Sequence, residues 1–575
     1  MARPVRSAAC VSFDAARTWH QLAWAEVIIQ ASTIGRAEGL ETDICVVGAG
    51  PAGISLALGL IGRGLRVTLV ESGAFEHDPQ VQELSAGDVR SDDYAPGALG
   101  DGRRRQFGGT TNLWAYRTEP GSGRRYARSL PPEEIDFERR GEEPGAGWPF
   151  RLADLARFLE RAQRVWNGGP FDYSVETWGD DSTPPLQSPR GMLITRMSQH
   201  GPRDVFTLRY RDDLLAAEDV TVLVQCTAVE LEWDAASRVV RRAIVARGDG
   251  SRFAIAARAF VLASGGIENV QLLLASDATR PGGPANPHDV IGRWITDHPE
   301  FRMAVVSPAD ASVLDRLGLY DIRWVRNSMV SGFLTLPEAL KRDEGLLNVS
   351  VAMAPQPAGF GSRSHRALSA LRAIRRREVP SHLATNLAAL AGSPRETIAA
   401  LRLGSARYME HLGGWSRPDV DRSTFAAIEL WAATEQSASR DNRLHLSEAR
   451  DRLGRPRIAM EMRWSDEDRR NFQRSATLIT EELEASGIGR VRPWVEMAGA
   501  ARPYNTGYHH PMGGTRMHPD PRFGAVDPDC RVHGTANLYV AGSSVFASGH
   551  GYANPTLSII ALAVRLGDHL IETLS

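Results

Sequence analysis

The chain is almost without lysine: of its 67 basic residues, all but Lys341 are arginine. An imine mechanism through a lysine amine therefore has one candidate, and nothing in the neighbouring sequence recommends it. Cysteine is nearly as scarce. Cys10, Cys45, Cys226 and Cys530 stand far apart and form no CxxC pair, which argues against a thiolate-held zinc or iron–sulfur centre and fits a reducing compartment. Long apolar runs are missing too, since no stretch approaches the roughly 20 residues that a spanning helix needs. The N-terminal run "MARPVRSAACVSFDAARTWHQLAWAEVIIQAST" is interrupted by Glu26 and lacks a clean cleavage site, so residues 1–40 read as a mature helical extension of a soluble, cytoplasmic protein. A net charge of −2 offers no basic field for nucleic acid.

What is present is an ordinary globular composition, 42% hydrophobic and 24% charged, in 575 residues. That length exceeds one compact core and predicts two domains or one elaborated domain. No internal repeat or low-complexity tail is visible.

The first fixed point is "DICVV", Asp43 to Val47, followed at once by "GAGPAGISLALGLIGRG". A short β-branched run, a glycine turn and a helix follow in order. Gly48, Gly50 and Gly53 have the GxGxxG spacing of a turn that brings backbone close to a pyrophosphate at a helix N-terminus. "LRVTLVES" then supplies a second strand ending in Glu71, at the distance where an acid binds ribose hydroxyls. This predicts dinucleotide binding without separating FAD from NAD.

Further strand–turn–helix pieces are dispersed along the chain. They are "RAFVLASGGIENVQLLLAS" at 258–276, and "NLYVAGSSVFASG" at 537–549 before a final helix over 555–570. A cofactor domain assembled from such distant parts is discontinuous. Between 301 and 500 the runs "FRMAVVS", "SGFLTL", "LLNVSVAMAP", "FAAIELWAATEQ" and "RIAMEMRW" alternate as antiparallel strands would. Two Arg-rich helical insertions, within 362–380 and 385–414, read as solvated. The helix in "GWPFRLADLARFLERAQRVW" is expected to close one side of the active site.

In order, "GAGPAGI", "GGTTNLW", "GGIENVQLLL", "GRWITDHP", "HPMGGTRM" and "AGSSVFASGHGYANPTLSI" resemble the motifs of the glucose-methanol-choline (GMC) flavoprotein oxidoreductases, over nearly the whole chain. The similarity is greatest to the bacterial sugar-oxidising, pyranose-oxidase-like branch. The fold class this implies is α/β (α+β overall), a Rossmann-type FAD-binding domain with an inserted antiparallel-sheet substrate domain. The expected parts are 41–125, 221–300 and 501–575 for FAD, and 126–220 and 301–500 for the substrate.

The resemblance implies FAD, held through Gly48, Gly50, Gly53, Glu71, Gly108, Gly109, Thr110, Thr111, Asn112, Gly542, Asn554, Pro555 and Thr556. Many relatives carry a flavin-linked histidine just before the tryptophan of the TTNxW loop, where this chain has Leu113. Leucine has no nucleophile, so non-covalent FAD is expected.

Alcohol oxidation by hydride transfer to flavin N5 needs a base for the hydroxyl proton and a second group to hold the oxygen. The resemblance assigns the base to His510, three residues before Gly513, and the partner to Asn554. His509, on the alternate side of an extended segment, is more often structural. His550, in a turn longer than usual, and His509 are candidates for substrate contact, and His298 lies in a segment found near the flavin in the family.

The expected reaction is oxidation of an alcohol on a sugar, glycoside or polyol-like compound, with oxygen, a quinone or a redox protein as acceptor. A tailoring oxidation of an aminosugar or other natural product, a non-redox lyase of the same fold and a nicotinamide-dependent dehydrogenase are the rival readings. No metal is called for.

Overall fold

The computed structural model describes residues 28–30, 39–91, 93, 98–100, 102–119, 122–140, 143–234, 236–279, 286–310, 312–357, 413–494, 510–552 and 554–575. Apolar runs too continuous to alternate build the first sheet. β2 (Leu40–Val47), β3 (Val67–Val70), β7 (Val220–Val224) and β19 (Leu538–Val540) lie parallel with β10 (Arg252–Leu262) in the order β7-β3-β2-β10-β19, β2 pairing with β10 from Ile255 onward and β19 with its last three residues. Strands buried on both faces are what such valine- and leucine-rich runs require. The first part of β10 pairs instead with β9 (Val239–Arg247), which pairs with β8 (Cys226–Asp234) in an antiparallel meander. At the far edge β1 (Ile28–Gln30) lies parallel to β7. The described part of the N-terminal extension is thus a strand, where a helix was expected.

Helix α1 (Pro51–Leu60) leaves β2 at the glycine turn. It packs against the last helix, α5 (Thr556–Leu574), on which α2 (Leu152–Trp166) lies in turn, fastened by Arg161 to Asp568 at 2.5 and 2.9 Å. Leu155, Phe158, Leu159, Ala162 and Trp166 of α2 join the cofactor-domain core. This helix, expected to close the active site, therefore buttresses α5 instead. Helix α3 (Glu268–Thr279) packs on β8. Beside it stands a small sheet of β4 (Gly87–Arg90), β16 (Arg443–Arg450) and β17 (Pro456–Glu461). Leu444, Ile458, Met460 and Met462 also belong to this core, so "RIAMEMRW" falls on the cofactor side, not in the substrate domain.

The second sheet is antiparallel, in the order β18 (Gly489–Pro493), β11 (Glu300–Pro308), β15 (Phe425–Thr434), β14 (Val349–Pro357), β13 (Ser328–Thr335), β6 (Ile194–Pro202) and β5 (Tyr126–Ser129), with β12 (Arg323–Val325) beside β13. One face carries Met197, Phe301, Val330, Leu334, Val351, Met353 and Leu430 against α4 (Asp466–Ala485), where Phe301 stacks on Phe472 at 4.1 Å. Ser465 caps α4 through a reciprocal hydrogen-bond pair with Asp468. The Arg-rich helical insertions lie outside the described residues, apart from the last two residues of the second.

The lone lysine is a core residue. Lys341 is fully buried and donates to Glu133 Oε2 and to Asn348 Oδ1, each at 2.5 Å. Glu133 also accepts from Arg196 at 2.6 Å and from the Tyr552 hydroxyl at 2.9 Å. Burial pushes the Glu133 carboxyl upward, but the charges of Arg196 and Lys341 outweigh it and hold the group below the usual carboxylate range. Breaking a buried pair from one side typically costs about 3–5 kcal/mol. We expect Lys341→Met to fall toward the lower end of that range, because Arg196 remains, as read from the midpoint of urea unfolding at constant m-value. A loss below about 1 kcal/mol would mean that Arg196 and Tyr552 suffice without the lysine.

Candidate active site

An elongated cavity of about 1280 Å³ runs from Glu71 past the start of α1 to His510 and Asn554. Gly48 opens it with φ +111, and a Cβ there would lie 2.6 Å from the Ala263 carbonyl oxygen. The two glycine-rich loops meet face to face: Gly108 N donates to Ala49 O at 2.8 Å, and a Cβ on Gly109 would lie 2.9 Å from Gly50 Cα. Only glycine permits that approach, and it exposes backbone beside the first turn of a helix, where phosphate oxygens are favoured. Glu71, at the end of β3, accepts from Ala49 N and Gly73 N, both at 2.9 Å. Burial raises its carboxyl above the usual range, with those two N–H groups opposing. The chemistry of this cradle fits a dinucleotide: a ribose-binding acid, a glycine cleft at a helix N-terminus, and a polar end at His510.

Of the cofactor residues expected from sequence, Gly48, Gly50, Glu71, Gly109, Thr110, Thr111, Gly542, Asn554, Pro555 and Thr556 line this cavity. Three do not. Gly53 sits beneath the Gly48 carbonyl, where a Cβ would overlap it at 1.9 Å, Gly108 holds the turn at φ +88, and Asn112 donates to the Phe107 and Gly109 carbonyls. These position the loop without facing the void. Sequence reasoning missed Glu268, which receives the Arg103 guanidinium in a buried ion pair and faces Arg105 at 3.5 Å, and also Arg455, paired with Asp451 at 2.9 Å. Arg103 and Arg105 stand in "GRRRQF", directly before the "GGTTNLW" glycines, whereas Arg455 arrives from the small sheet, with no signal in the primary structure.

At the far end, residues 296–298 and 510–512 pair across an antiparallel bridge, Thr296 to Met512. One oxygen of the Asp297 carboxylate accepts from the backbone N–H of both His298, at 2.8 Å, and His510, at 2.9 Å. The rings then meet, with Nδ1 of His298 3.2 Å from Nδ1 of His510, while Nε2 of His298 lies 2.8 Å from the Gly549 carbonyl oxygen. A carbonyl only accepts, so His298 Nε2 carries a proton. Burial pulls the pKa of His298 down to about 4, which keeps the ring neutral and leaves Nδ1 a bare acceptor. His510 must then donate from its own Nδ1, and a neutral His510 is therefore unprotonated at Nε2.

Asn554 is oriented by an equally simple rule. Its Oδ1 accepts the Thr556 N–H at 3.0 Å and the Thr556 hydroxyl, at the start of α5. Both partners are donors, so the amide NH2 is the end left to meet another group. An acceptor nitrogen on His510 and a donor on Asn554 thus border one cavity.

His550 is placed elsewhere. It lines neither this cavity nor the roof cavity of the second sheet, packing at 4.5 Å on Phe546 and 5.5 Å on Trp148, with Nε2 2.6 Å from Ser558 Oγ. Burial lowers its pKa to about 3. The aromatic cage replaces the expected substrate contact. His509 lies outside the described residues. Leu113 ends the short turn Gly109–Leu113, next to the cavity-lining Trp114.

A family model described as GMC oxidoreductase matches residues 437–563, and one described as FAD binding domain matches 41–80. Among curated proteins the chain is similar to the fructose dehydrogenase large subunit of Gluconobacter japonicus, 24% identical over 613 aligned residues that cover 93% of this chain and 99% of that one. It is also similar to 2-methyl-1,2-propanediol dehydrogenase of Mycolicibacterium austroafricanum, 23% identical, with 93% and 96% covered. Among solved structures, pyridoxine 4-oxidase from Mesorbium loti superposes with a TM-score of 0.50 at 16% identity, over 92% of this chain and 99% of that one. Formate oxidase does so at 0.51 and 16%, over 93% and 99%; at these identities the likeness is one of fold. No helix among the described residues is long and apolar enough to cross a membrane. The ordered motifs, the glycine cradle and these relatives converge: the chain carries a GMC oxidoreductase domain over residues 437–563 and is an oxidoreductase with an FAD-binding domain.

Proposed function

We propose that the protein oxidises an alcohol group of a sugar, glycoside or polyol-like substrate to a carbonyl, with His510 as the base and Asn554 holding the reacting oxygen. The observation that carries this reading is the contact between His298 and His510, which leaves His510 Nε2 without a proton. When bound, FAD supplies the hydride acceptor. Gly48, Gly50, Glu71, Gly109, Thr110, Thr111 and Pro555 hold it, and Leu113 offers no nucleophile for a covalent link.

His510 Nε2 takes the hydroxyl proton as the C–H bond is broken. The Asn554 amide donates to the same oxygen, where negative charge develops. A donor fixed in advance by Thr556 costs no reorganisation at that moment. As His510 becomes an imidazolium, its Nδ1–H stays on the His298 acceptor, which steadies both ring orientation and charge. The names of the curated relatives, a fructose dehydrogenase and a diol dehydrogenase, favour polyhydroxylated substrates. Oxygen, a quinone or a redox protein would take the electrons onward.

General-base catalysis contributes typically about 10²–10⁴-fold. We expect His510→Ala to lower the anaerobic rate of flavin reduction by at least that lower bound, and a change within about tenfold would remove the base assignment. His298→Ala is expected to slow reduction by about 10–100-fold with the substrate dissociation constant within about threefold, because it disorders the base without touching substrate. Acid precipitation should leave the yellow flavin in the supernatant; flavin in the pellet would contradict the role given to Leu113.

A further inference from the structure

The second sheet has an unusual inner face. Opposite its apolar side, strand pairing places Arg128 across from His200, Ser350 across from Ala433, Ala352 across from Trp431, and Glu300 across from Ala433 on the other edge. A sheet face this polar is ordinarily solvated, yet His200, Ser331 and Ser350 are buried. It walls a small cavity lined by Arg128, His200, Glu300, Ser331 and Ser350. Glu300, which lines it, begins β11 two residues after His298.

Two groups on that face stand out for what they lack. His200 holds Ser331 Oγ at 2.9 Å through Nε2, while its buried Nδ1 has no hydrogen-bond partner among the described residues. Arg128 makes no hydrogen bond or ion pair among the described residues, only a face contact with the Phe333 ring at 5.7 Å. Its charge is felt by both His200 and His298, in each case after burial as the larger cause of a lowered pKa. Other arginines of the same sheet are matched: Arg196 by Glu133 at 2.6 Å and Arg302 by Glu429 at 3.3 Å. Arg128 lines the roof cavity and not the cofactor cavity, so the cofactor does not answer its charge.

We propose that this cavity is a subsite for an anionic end of the substrate, a carboxylate received by Arg128 with neighbouring hydroxyls on His200 and Ser331, and that the substrate is a hydroxylated carboxylic acid. One guanidinium matches a single negative charge in fork geometry. The inference rests on the alcohol-oxidising reading in taking this cavity to be where substrate sits.

The test uses flavin-loaded protein and two matched series: glycolate, glycerate and gluconate against ethylene glycol, glycerol and sorbitol. Binding is read from perturbation of the oxidised flavin spectrum, with intact flavin content and melting temperature as the check on folding. Carboxylates should bind at least about tenfold more tightly than the matched polyols, with that advantage lost in Arg128→Met and partly kept in Arg128→Lys, as expected for a charge-assisted pair. A ratio within threefold in the wild type, its persistence in Arg128→Met, no carboxylate binding below 10 mM, or tighter binding of glycerol phosphate than of glycerate would each overturn the proposal. Anaerobic bleaching separates the two readings. If neutral polyols bleach the flavin as well as their acids, the carboxylate assignment fails while alcohol oxidation stands. If Arg128-dependent carboxylate binding is found but no alcohol bleaches the flavin, alcohol oxidation fails and the anion subsite stands.

Discussion

One backbone carbonyl, that of Gly549, governs the polar end of the cofactor cavity. Because a carbonyl can only accept, it fixes the proton on His298 Nε2, and the burial of that ring turns Nδ1 into an acceptor facing His510. The Asp297 carboxylate secures the same arrangement from the backbone side by receiving both histidine N–H groups. Gly549 itself has no room for a side chain, since a Cβ would lie 2.5 Å from the Gln436 carbonyl oxygen. The chemistry of one imidazole thus depends on three segments, the first of which lies more than 200 residues from the other two in the chain.

The turn that carries Gly549 is held in place by buried charge. Ser548 Oγ donates to the Asp136 carbonyl at 3.2 Å, Tyr552 donates to Glu133, and Ser129 Oγ donates to the Asn554 carbonyl at 3.2 Å. Beneath them Arg140 reaches Glu435 at 2.6 Å, and Asn348 donates to Asp136 at 2.5 Å. Burial, reinforced by the charge of Glu435, pushes the Asp136 carboxyl up to about 7. Such clusters contribute little net stability relative to well-packed apolar groups, but a misplaced member is costly. Here they hold the turn between α5 and the second sheet in one register, so the two domains share a single polar floor.

Much of the cofactor half was legible in the sequence, because its signals are local. The glycines at 48, 50 and 53, the strand ending in Glu71 and the "GGTTNLW" loop each state a backbone requirement within a few residues, and the structure sets most of them around one cavity. The strands at 301–307 and 425–434 were readable from composition as well. What failed were assignments that depend on distant packing. "RIAMEMRW" begins with a sound strand whose partners are β4 and β16, and nothing within its own residues distinguishes those partners from the second sheet. His550 drew attention as a histidine in a motif, but its cage is built from Phe137, Trp148 and Phe546, two of them some 400 residues away in the chain.

By itself, then, the sequence, through its resemblance to the family, named the residues proposed as base and partner, and it determined the strand–turn–helix units and the dinucleotide cradle. These follow from spacing, glycine geometry and hydrophobic pattern, which act over a few residues. Only the tertiary structure decided which nitrogen of His510 bears the proton, which end of the Asn554 amide points outward, and that the one lysine is a buried counter-charge. Among the described residues it also left Arg128 without a hydrogen bond or ion pair. Protonation, amide orientation and charge pairing are set by what lies within about 3 Å in space, and for His510 and Lys341 those neighbours, His298 and Glu133, lie more than 200 residues away in the chain.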